Sequence, residues 1–353
     1  MSPPPFNNSD QGDAEAFDGS PRVRLGAVGY LNARPLVYGL DAVPRFHVRY
    51  DVPSECARLL HDDAIDVGLI PSIEYLRGGP YRIVPDLAIV SRGPVASVEL
   101  YSKKPIADVR SIAMDTSSRT SVALASVLCA RLFMIDPALE AHGPDVSEML
   151  ERCDAALIIG DNALLLDHTT VRLKPDTTEE SSVRLKRDAI DVSSVRLKRD
   201  AIDVSSVRLK PDATEDFAIG GPRSAIRRQS PNPDLESAIR NPRSIEKIDL
   251  GEAWTTMTGL PFVYAFWAGR PNALTRTDVD ALQRARNAGV AQPEVIARDY
   301  FPDSPAHQAI GARYLRDNIQ YYLRADERAG LEAFYRYAAE AGLVPSAGAL
   351  RFY

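Results

Sequence analysis

The sequence predicts an α/β protein with two lobes and a cleft between them. Short apolar runs typical of strands alternate with stretches typical of amphipathic helices along most of the chain. The alternation occurs in two successive halves, and polar loops follow several of the strand-like runs. Alternating β and α elements favour open, mostly parallel sheets, so we expect one such sheet in each lobe. Ligands should bind beyond the carboxyl ends of its strands.

The individual elements follow from local patterns. The predicted strands are apolar runs at 23–28, 46–50, 66–70, 97–102, 111–114, 155–159 and 262–268. The run at 97–102 alternates apolar and polar residues and therefore predicts an exposed strand. The predicted helices have apolar residues at three- and four-residue intervals, or a capping residue at their start, and lie at 35–40, 53–62, 121–133, 277–288, 306–320 and 325–341.

Composition excludes several classes of protein. Hydrophobic residues make up 45% and charged residues 25% of the 353, as in a globular protein. The net charge of −6 argues against a nucleic-acid partner, and no apolar run is long enough to cross a membrane. Residues 1–21 lack the basic start and apolar core of a secretory signal, which predicts a disordered tail on a cytoplasmic protein.

The three cysteines, Cys56, Cys129 and Cys153, are widely spaced, without histidines at metal-ligand intervals. We expect small core residues in a reducing compartment, and neither a metal site nor a cofactor.

A twelve-residue repeat interrupts the second half. Copies start at Val171, Val183, Val195 and Val207, and the second and third are identical. The copies are dominated by Arg, Lys and Asp and contain too few apolar residues for a core. We therefore predict a disordered insertion at about 168–246, either a simple linker or a partner-docking arm.

The first candidate site motif is the loop Gly29-Tyr30-Leu31-Asn32-Ala33-Arg34-Pro35, after the first strand. The amide of Asn32 offers both donors and an acceptor to a polar ligand, and Tyr30 and Arg34 flank it. The alternative is a plain turn before a helix that has proline in its first turn.

The second motif, Pro71-Ser72-Ile73-Glu74-Tyr75, follows the strand at 66–70. Ser72 and Glu74 are candidate ligand contacts, and Glu74 is also a candidate base. The alternative is a helix cap.

The third motif runs from Ser91 to Ser97 and contains Gly93 and Pro94. Both serines are candidate site residues. The alternative is an interdomain loop.

The fourth motif carries the clearest chemistry. The motif consists of Thr116, Ser117, Ser118, Arg119, Thr120 and Ser121, between a strand and a helix. Hydroxyls and unpaired N–H groups at a helix start bind anions, and Arg119 adds a positive charge. The glycines and lysine of a phosphate-binding loop are missing, so a carboxylate is the better ligand.

Together these motifs resemble those of the chorismate dehydratases, which belong to the futalosine route to menaquinone. The stretches that carry the resemblance are GYLNARPL, DVGLIPSIEY, SRGPVASVELYSK, DTSSRTSVAL, ALIIGDNAL and DLGEAWTTMTGLPFVYAFW. It spans most of the chain from Arg22 onward, except the insertion, which departs from the family pattern.

The resemblance implies a two-lobed fold like that of type II periplasmic binding proteins, with substrate in the central cleft. It implies lobe 1 at 22–108 plus 269–353 and lobe 2 at 109–268. The implied reaction removes water from chorismate to give 3-[(1-carboxyvinyl)oxy]benzoate. Asn32, Ser97 and Arg119 would be catalytic, Asp161 and Asn162 would join the binding residues, and Asp161 is a further candidate base. The family is thought to use the enolpyruvyl carboxylate of the substrate itself as the base.

Two alternatives remain at this point. One is a solute-binding protein that captures a small anion without reaction, and the other is the sister cyclase of the same route. The missing export signal disfavours the first. The GYLN loop disfavours the second, by resemblance only.

Overall fold

The computed structural model describes residues 21–166 and 245–353. The tail expected at 1–21 lies outside the described residues except for Pro21. The insertion expected at 168–246 also lies outside them, except for Ile245 and Glu246.

Lobe 1 is built on a five-stranded sheet. Its strands are β1 (Val23–Val28), β2 (Phe46–Asp51), β3 (Val67–Pro71), β4 (Arg82–Ser91) and β10 (Phe262–Gly269). Their order is β2-β1-β3-β10-β4, and β10 runs antiparallel to both of its neighbours, whereas β1 is parallel to β2 and β3.

Lobe 2 repeats this arrangement. Its strands are β5 (Val98–Ser102), β6 (Ser111–Asp115), β7 (Ala138–His142), β8 (Ala155–Ile159) and β9 (Glu246–Asp249). Their order is β7-β6-β8-β5-β9, with β5 antiparallel to β8 and β9. One strand of each sheet directly follows a crossing of the chain from the other lobe. These strands are β10 in lobe 1 and β5 in lobe 2.

These crossings correct two expectations. The sheets are mixed rather than mostly parallel, because β5 and β10 enter against the direction of the parallel strands. The lobe boundaries also move. The division at 108/109 and 268/269 assigned β5 to lobe 1 and β10 to lobe 2, but hydrogen bonding places β5 in lobe 2 and β10 in lobe 1. The crossings therefore lie between β4 and β5 and between β9 and β10.

Nine α-helices cover the described parts of the two sheets. They are α1 (Pro53–His61), α2 (Arg119–Leu128), α3 (Val146–Arg152), α4 (Gly160–Leu164), α5 (Leu250–Thr258), α6 (Arg276–Val290), α7 (Pro293–Tyr300), α8 (Pro305–Asp317) and α9 (Ala325–Glu340). The segments after β1 and β3 form short 3₁₀ helices, Leu31–Val37 and Ser72–Leu76, rather than α-helices.

Asp249 ties the two crossings together. Its carboxylate caps the start of α5 by accepting hydrogen bonds from the N–H groups of Gly251 and Glu252 at 2.9 and 3.0 Å. It also accepts from the N–H groups of Val95 and Ala96 on the other crossing, at 2.9 and 2.7 Å. One side chain thus fixes both chain segments of the hinge.

The core is continuous through lobe 1 and reaches into lobe 2, where α2 packs against α5 and α9. Trp254, Phe262 and Phe334 form an edge-to-face aromatic cluster at its centre. All three cysteines are free and buried, as expected for small core residues. No helix in the described ranges is long and apolar enough to cross a membrane.

Candidate active site

A cavity of about 40 Å³ lies between the lobes, at the carboxyl ends of β1, β3 and β8. This is the position expected for a ligand site in open α/β sheets. Valine, isoleucine, alanine and proline side chains form much of its wall. Its polar lining consists of Tyr30, Asn32, Ser97, Ser118, Ser121 and Tyr264.

The loop after β1 supplies one wall. Tyr30 donates a hydrogen bond across the cleft to Ser117 Oγ at 3.2 Å. Burial raises the pKa of Tyr30 to about 12, so the hydroxyl stays protonated and can donate. Asn32 lines the cavity, and its Oδ1 is buried without a hydrogen-bond partner in the described part of the chain. A buried acceptor without a partner is costly unless a ligand satisfies it.

Arg34 does not line the cavity. Its guanidinium lies over the rings of Tyr50 and Tyr300, at 4.7 and 5.0 Å from their centroids, and it donates to the carbonyl of Gly29 at 3.4 Å. In this structure the residue supports the loop from behind, and its assignment as a direct ligand contact stays a prediction.

The two candidate residues of the second motif, Ser72 and Glu74, also contact other groups of the protein. Ser72 Oγ donates to the carbonyl of Val263 at 2.8 Å. Glu74 is buried and pairs with Arg119 at 2.8 Å, Arg77 at 3.0 Å and His61 at 3.3 Å. Burial acts to raise the pKa of Glu74, but the three neighbours outweigh it, and the pKa lies below its ordinary value. Neither Ser72 nor Glu74 reaches the cavity.

The fourth motif divides between two faces of α2. Ser118 caps the helix and, with Ser121, lines the interlobe cavity. Thr116 and Arg119 line a separate cavity of about 80 Å³. The expected contact between Arg119 and the ligand stays a prediction; in this structure its charge faces Glu74.

The other two residues of this motif have structural partners. Ser117 donates to Asp115 at 2.6 Å. Thr120 is fully buried and accepts from the N–H of Ile73 at 3.2 Å. This bond joins the start of α2 to the 3₁₀ helix after β3.

The two serines of the third motif have different surroundings. Ser91 Oγ lies 3.0 Å from the hydroxyl of Tyr264 in the hinge, and Ser91 does not line the cavity. Ser97 lines the cavity and accepts a hydrogen bond from the hydroxyl of Tyr314 at 2.7 Å. Of the two serines, only Ser97 lines the candidate ligand site.

Asp161 joins the lobes next to the cavity. It accepts hydrogen bonds from the N–H of Leu31 at 3.2 Å and from the hydroxyl of Tyr300 at 2.5 Å. Burial raises its pKa, although these two donors oppose the shift. Gly160, just before it, has φ +62°, and an added Cβ would lie 3.0 Å from the ring of Tyr30. Asn162 is exposed and does not line the cavity, and its assignment as a binding residue stays a prediction.

Sequence reasoning missed several residues of this region. Tyr264 lines the cavity, while Tyr300 and Tyr314 hold Asp161 and Ser97. The tyrosines lie in apolar strands and helices, where they resemble ordinary core residues. Ser121, named in the fourth motif, lines the cavity one helical turn after Ser118.

A second cavity, of about 550 Å³, lies between α4 and α8 and presents Lys247, His307 and Arg313. It contains none of the site residues expected from the sequence, and Lys247 already pairs with Glu99 at 3.0 Å. In residues 21–166 and 245–353, no group of three His, Cys, Asp or Glu side chains is arranged to hold a metal ion.

Comparison with known proteins identifies the family. A family model described as menaquinone biosynthesis matches residues 23–179 and 236–340, which is most of the chain. The chain belongs to the menaquinone biosynthesis family. The family resemblance expected from the motifs is thus confirmed, and residues 180–235 lie outside the match. A curated relative of this family member is a chorismate dehydratase from Thermus thermophilus, 27% identical over 312 residues, or 88% of this chain and 93% of the relative.

Solved structures show the same fold for this menaquinone biosynthesis family member. Protein AF1704 from Archaeoglobus fulgidus has a TM-score of 0.57 at 14% identity, covering 92% of this chain and 98% of that one. The periplasmic aliphatic sulphonate binding protein SsuA from Escherichia coli has a TM-score of 0.52 at 12% identity, covering 93% and 95%. The expected periplasmic-binding-protein-like fold is confirmed. At these identities the likeness concerns the fold alone.

Proposed function

We propose that this protein dehydrates chorismate to 3-[(1-carboxyvinyl)oxy]benzoate in menaquinone biosynthesis. The observation that carries the proposal is the placement of Asn32 and Ser97 in one cavity between the lobes of a menaquinone biosynthesis family member. The relative named chorismate dehydratase supports the choice of substrate. The free, buried cysteines agree with a reducing compartment, and we place the reaction in the cytoplasm.

The reaction needs a site that stabilises the negative charge that develops on the substrate. It does not need a strong base from the protein. One ring proton and the ring hydroxyl leave the substrate together as water, and the ring becomes aromatic. Negative charge builds towards the ring carboxylate as the proton leaves. Ser118 and Ser121 lie at the start of α2, where hydroxyls and N–H groups can bind that carboxylate.

The proton acceptor is the enolpyruvyl carboxylate of the substrate itself. The described cavity lining offers hydroxyls, one amide and apolar groups. The two protein carboxylates considered as bases already have partners, because Glu74 faces three cationic or imidazole groups and Asp161 holds Leu31 and Tyr300. Within the cavity, the protein therefore orients the substrate and stabilises charge.

Substrate entry requires the lobes to separate. Typical small-molecule sites occupy roughly 300–1,000 Å³, whereas this cavity measures about 40 Å³. Direct hydrogen bonds from Tyr30 to Ser117 and from Leu31 to Asp161 now span the cleft. We expect these contacts to break on opening and to re-form around the bound substrate.

The test is incubation of the purified protein with chorismate, followed by chromatography of the aromatic product. We expect conversion without any added cofactor, unchanged by a chelator. Asn32→Ala and Ser97→Ala should each lower kcat about 100-fold, the usual cost of losing one fixed donor or acceptor in an active site. Chorismate binding without turnover would favour a solute-binding protein. Failure both to bind and to convert chorismate would favour another substrate, such as that of the sister cyclase.

A further inference from the structure

Tyr314 lies between the two polar residues proposed to carry the reaction. It is on α8 in lobe 1, is buried, and donates its hydroxyl hydrogen to Ser97 Oγ at 2.7 Å. Asn32 is also near this hydroxyl and acts to lower its pKa, although burial outweighs it. Burial raises the pKa of Tyr314 well above its ordinary value, so the hydroxyl remains protonated and keeps its hydrogen.

This contact fixes the direction of each neighbouring hydrogen bond. A tyrosine hydroxyl has one hydrogen, and in Tyr314 that hydrogen points to Ser97. Any contact of Asn32 with the oxygen of Tyr314 must then come from its N–H, which leaves its Oδ1 as an acceptor. Oδ1 is buried and has no partner among the described residues. Ser97 Oγ already accepts from Tyr314, so its own hydrogen is available for a ligand.

We infer that Tyr314 is a positioning residue that makes Ser97 a donor and Asn32 an acceptor towards one hydroxyl group of the substrate. A hydroxyl is the group that can donate to Asn32 Oδ1 and accept from Ser97 at the same time. This inference rests on the proposed function and deepens it, because the dehydration expels a ring hydroxyl. Donation from Tyr314 strengthens the donor Ser97, and Ser97 in turn stabilises the departing oxygen.

Tyr314→Phe tests this inference, with Tyr321→Phe as the matched control. Tyr321 is equally buried, but its hydroxyl has no hydrogen-bond partner in the described part of the chain. We expect Tyr314→Phe to lower kcat about tenfold, with KM within about twofold of wild type, because the lost bond acts on the leaving group. Tyr321→Phe should match wild type in both constants.

A double-mutant cycle separates positioning from a general structural effect. If Tyr314 acts through Ser97, then Tyr314→Phe should cost less than about twofold in kcat when added to Ser97→Ala. An equal loss in both backgrounds would overturn the inference. Replacement of Tyr314 by 3-fluorotyrosine keeps the ring and hydroxyl and makes the hydroxyl a stronger donor, so it covers the case in which the phenylalanine variant does not fold. We expect kcat to rise, and an unchanged or lower kcat would overturn the inference.

The outcomes also separate this inference from the proposed function. If wild type converts chorismate and Tyr314→Phe behaves like Tyr321→Phe, the inference is wrong and the proposed function stands. If wild type does not convert chorismate, both are wrong.

Discussion

Asp161 of lobe 2 and Tyr300 of lobe 1 are joined by a 2.5 Å hydrogen bond, from the tyrosine hydroxyl to the carboxylate. The N–H of Leu31 donates to the other carboxylate oxygen at 3.2 Å. Two donors from lobe 1 thus hold one partly buried acceptor of lobe 2 beside the cavity. Asp161 is therefore a contact that closes the cleft rather than a free base.

Tyr300→Phe should weaken closure. A hydrogen bond to a charged group contributes about 1.5–3 kcal/mol, so we expect KM for chorismate to rise about tenfold or more with a smaller change in kcat. Small-angle scattering without substrate should show a larger radius of gyration. Tyr322→Phe is the control, because the ring of Tyr322 stacks under Arg286 and Arg324, away from the cleft. Equal KM and radius in the two variants would contradict this role.

Arg119→Ala should affect stability more than catalysis. Its loss removes one of three positive or imidazole partners from the buried Glu74, and we expect about 1–3 kcal/mol of destabilisation at pH 7. The pKa of Glu74 is lowered in the folded state, so its stabilising contribution is present above about pH 4.5 and is lost as pH falls through the folded value. Urea unfolding should therefore show a smaller effect of the substitution at pH 3 than at pH 7.

The kinetics of the same variant provide a second check. Because Arg119 does not line the cavity, kcat of folded Arg119→Ala should stay within a few-fold of wild type, unlike that of Asn32→Ala. Arg92→Ala, which removes an exposed pair with Asp326, should change stability by less than about 1 kcal/mol. A hundredfold loss of kcat in Arg119→Ala would restore its assignment as a catalytic donor.

Glu99 should make stability fall as pH rises. Burial, with help from the nearby Asp249, raises the pKa of Glu99 to about 7, although Lys247 opposes the shift. The folded state then binds more protons than the unfolded state between about pH 4.5 and 7, so stability is highest below this range and falls through it. Glu99→Gln should flatten this part of the pH profile in urea titrations. Glu332→Gln, at an exposed carboxylate of α9 that does not contribute to the Glu99 shift, should leave the profile as it is in wild type.

Replacing residues 180–235 with a short Gly/Ser linker should preserve activity. These residues lie outside the family match, and each doubling of loop length changes stability by only about 0.6 kcal/mol. The linker must leave β9 intact, because Glu246 and Lys247 pair with Ser102 and Tyr101 of β5. We expect kcat and the unfolding midpoint to match the full chain. A loss of cooperative unfolding would show that the segment contributes to the fold.

The strands were predictable because their apolar runs are short and bounded by polar residues. All seven predicted strands form, each within one residue of the expected ends. β4 was not recognised, since Pro85 and Asp86 interrupt it, and Asp86 has φ +60° at an irregular position. β5 was expected to be exposed because its residues alternate between apolar and polar. Every residue of β5 is nonetheless buried, and the carboxylate of Glu99 pairs with Lys247 rather than with solvent.

The site was predictable in its loops but not in its side-chain directions. Arg119 was predicted to contact the ligand because a positive charge beside the N–H groups of a helix start is typical of an anion site. In the helix it shares a face with Val122, Ala123 and Ser126, which line the separate cavity. Ser118 and Ser121 are on the face towards the cleft. Helical periodicity applied to the loop residues would have separated the face of Arg119 from that of Ser118 and Ser121. The tyrosines of the site can be recognised only from the tertiary structure.

The order of the strands has a consequence for how the chain folds during synthesis. The sheet of lobe 1 has β10 between β3 and β4, so its centre stays open until the ribosome has made residues 262–269. Lobe 2 draws all its strands from one continuous stretch, 98–249, and can complete its sheet earlier. During that interval β3 and β4 expose edges that can pair with other chains. The nascent protein is therefore most prone to aggregation before β10 emerges, and chaperone binding should concentrate on β3 and β4 at that stage.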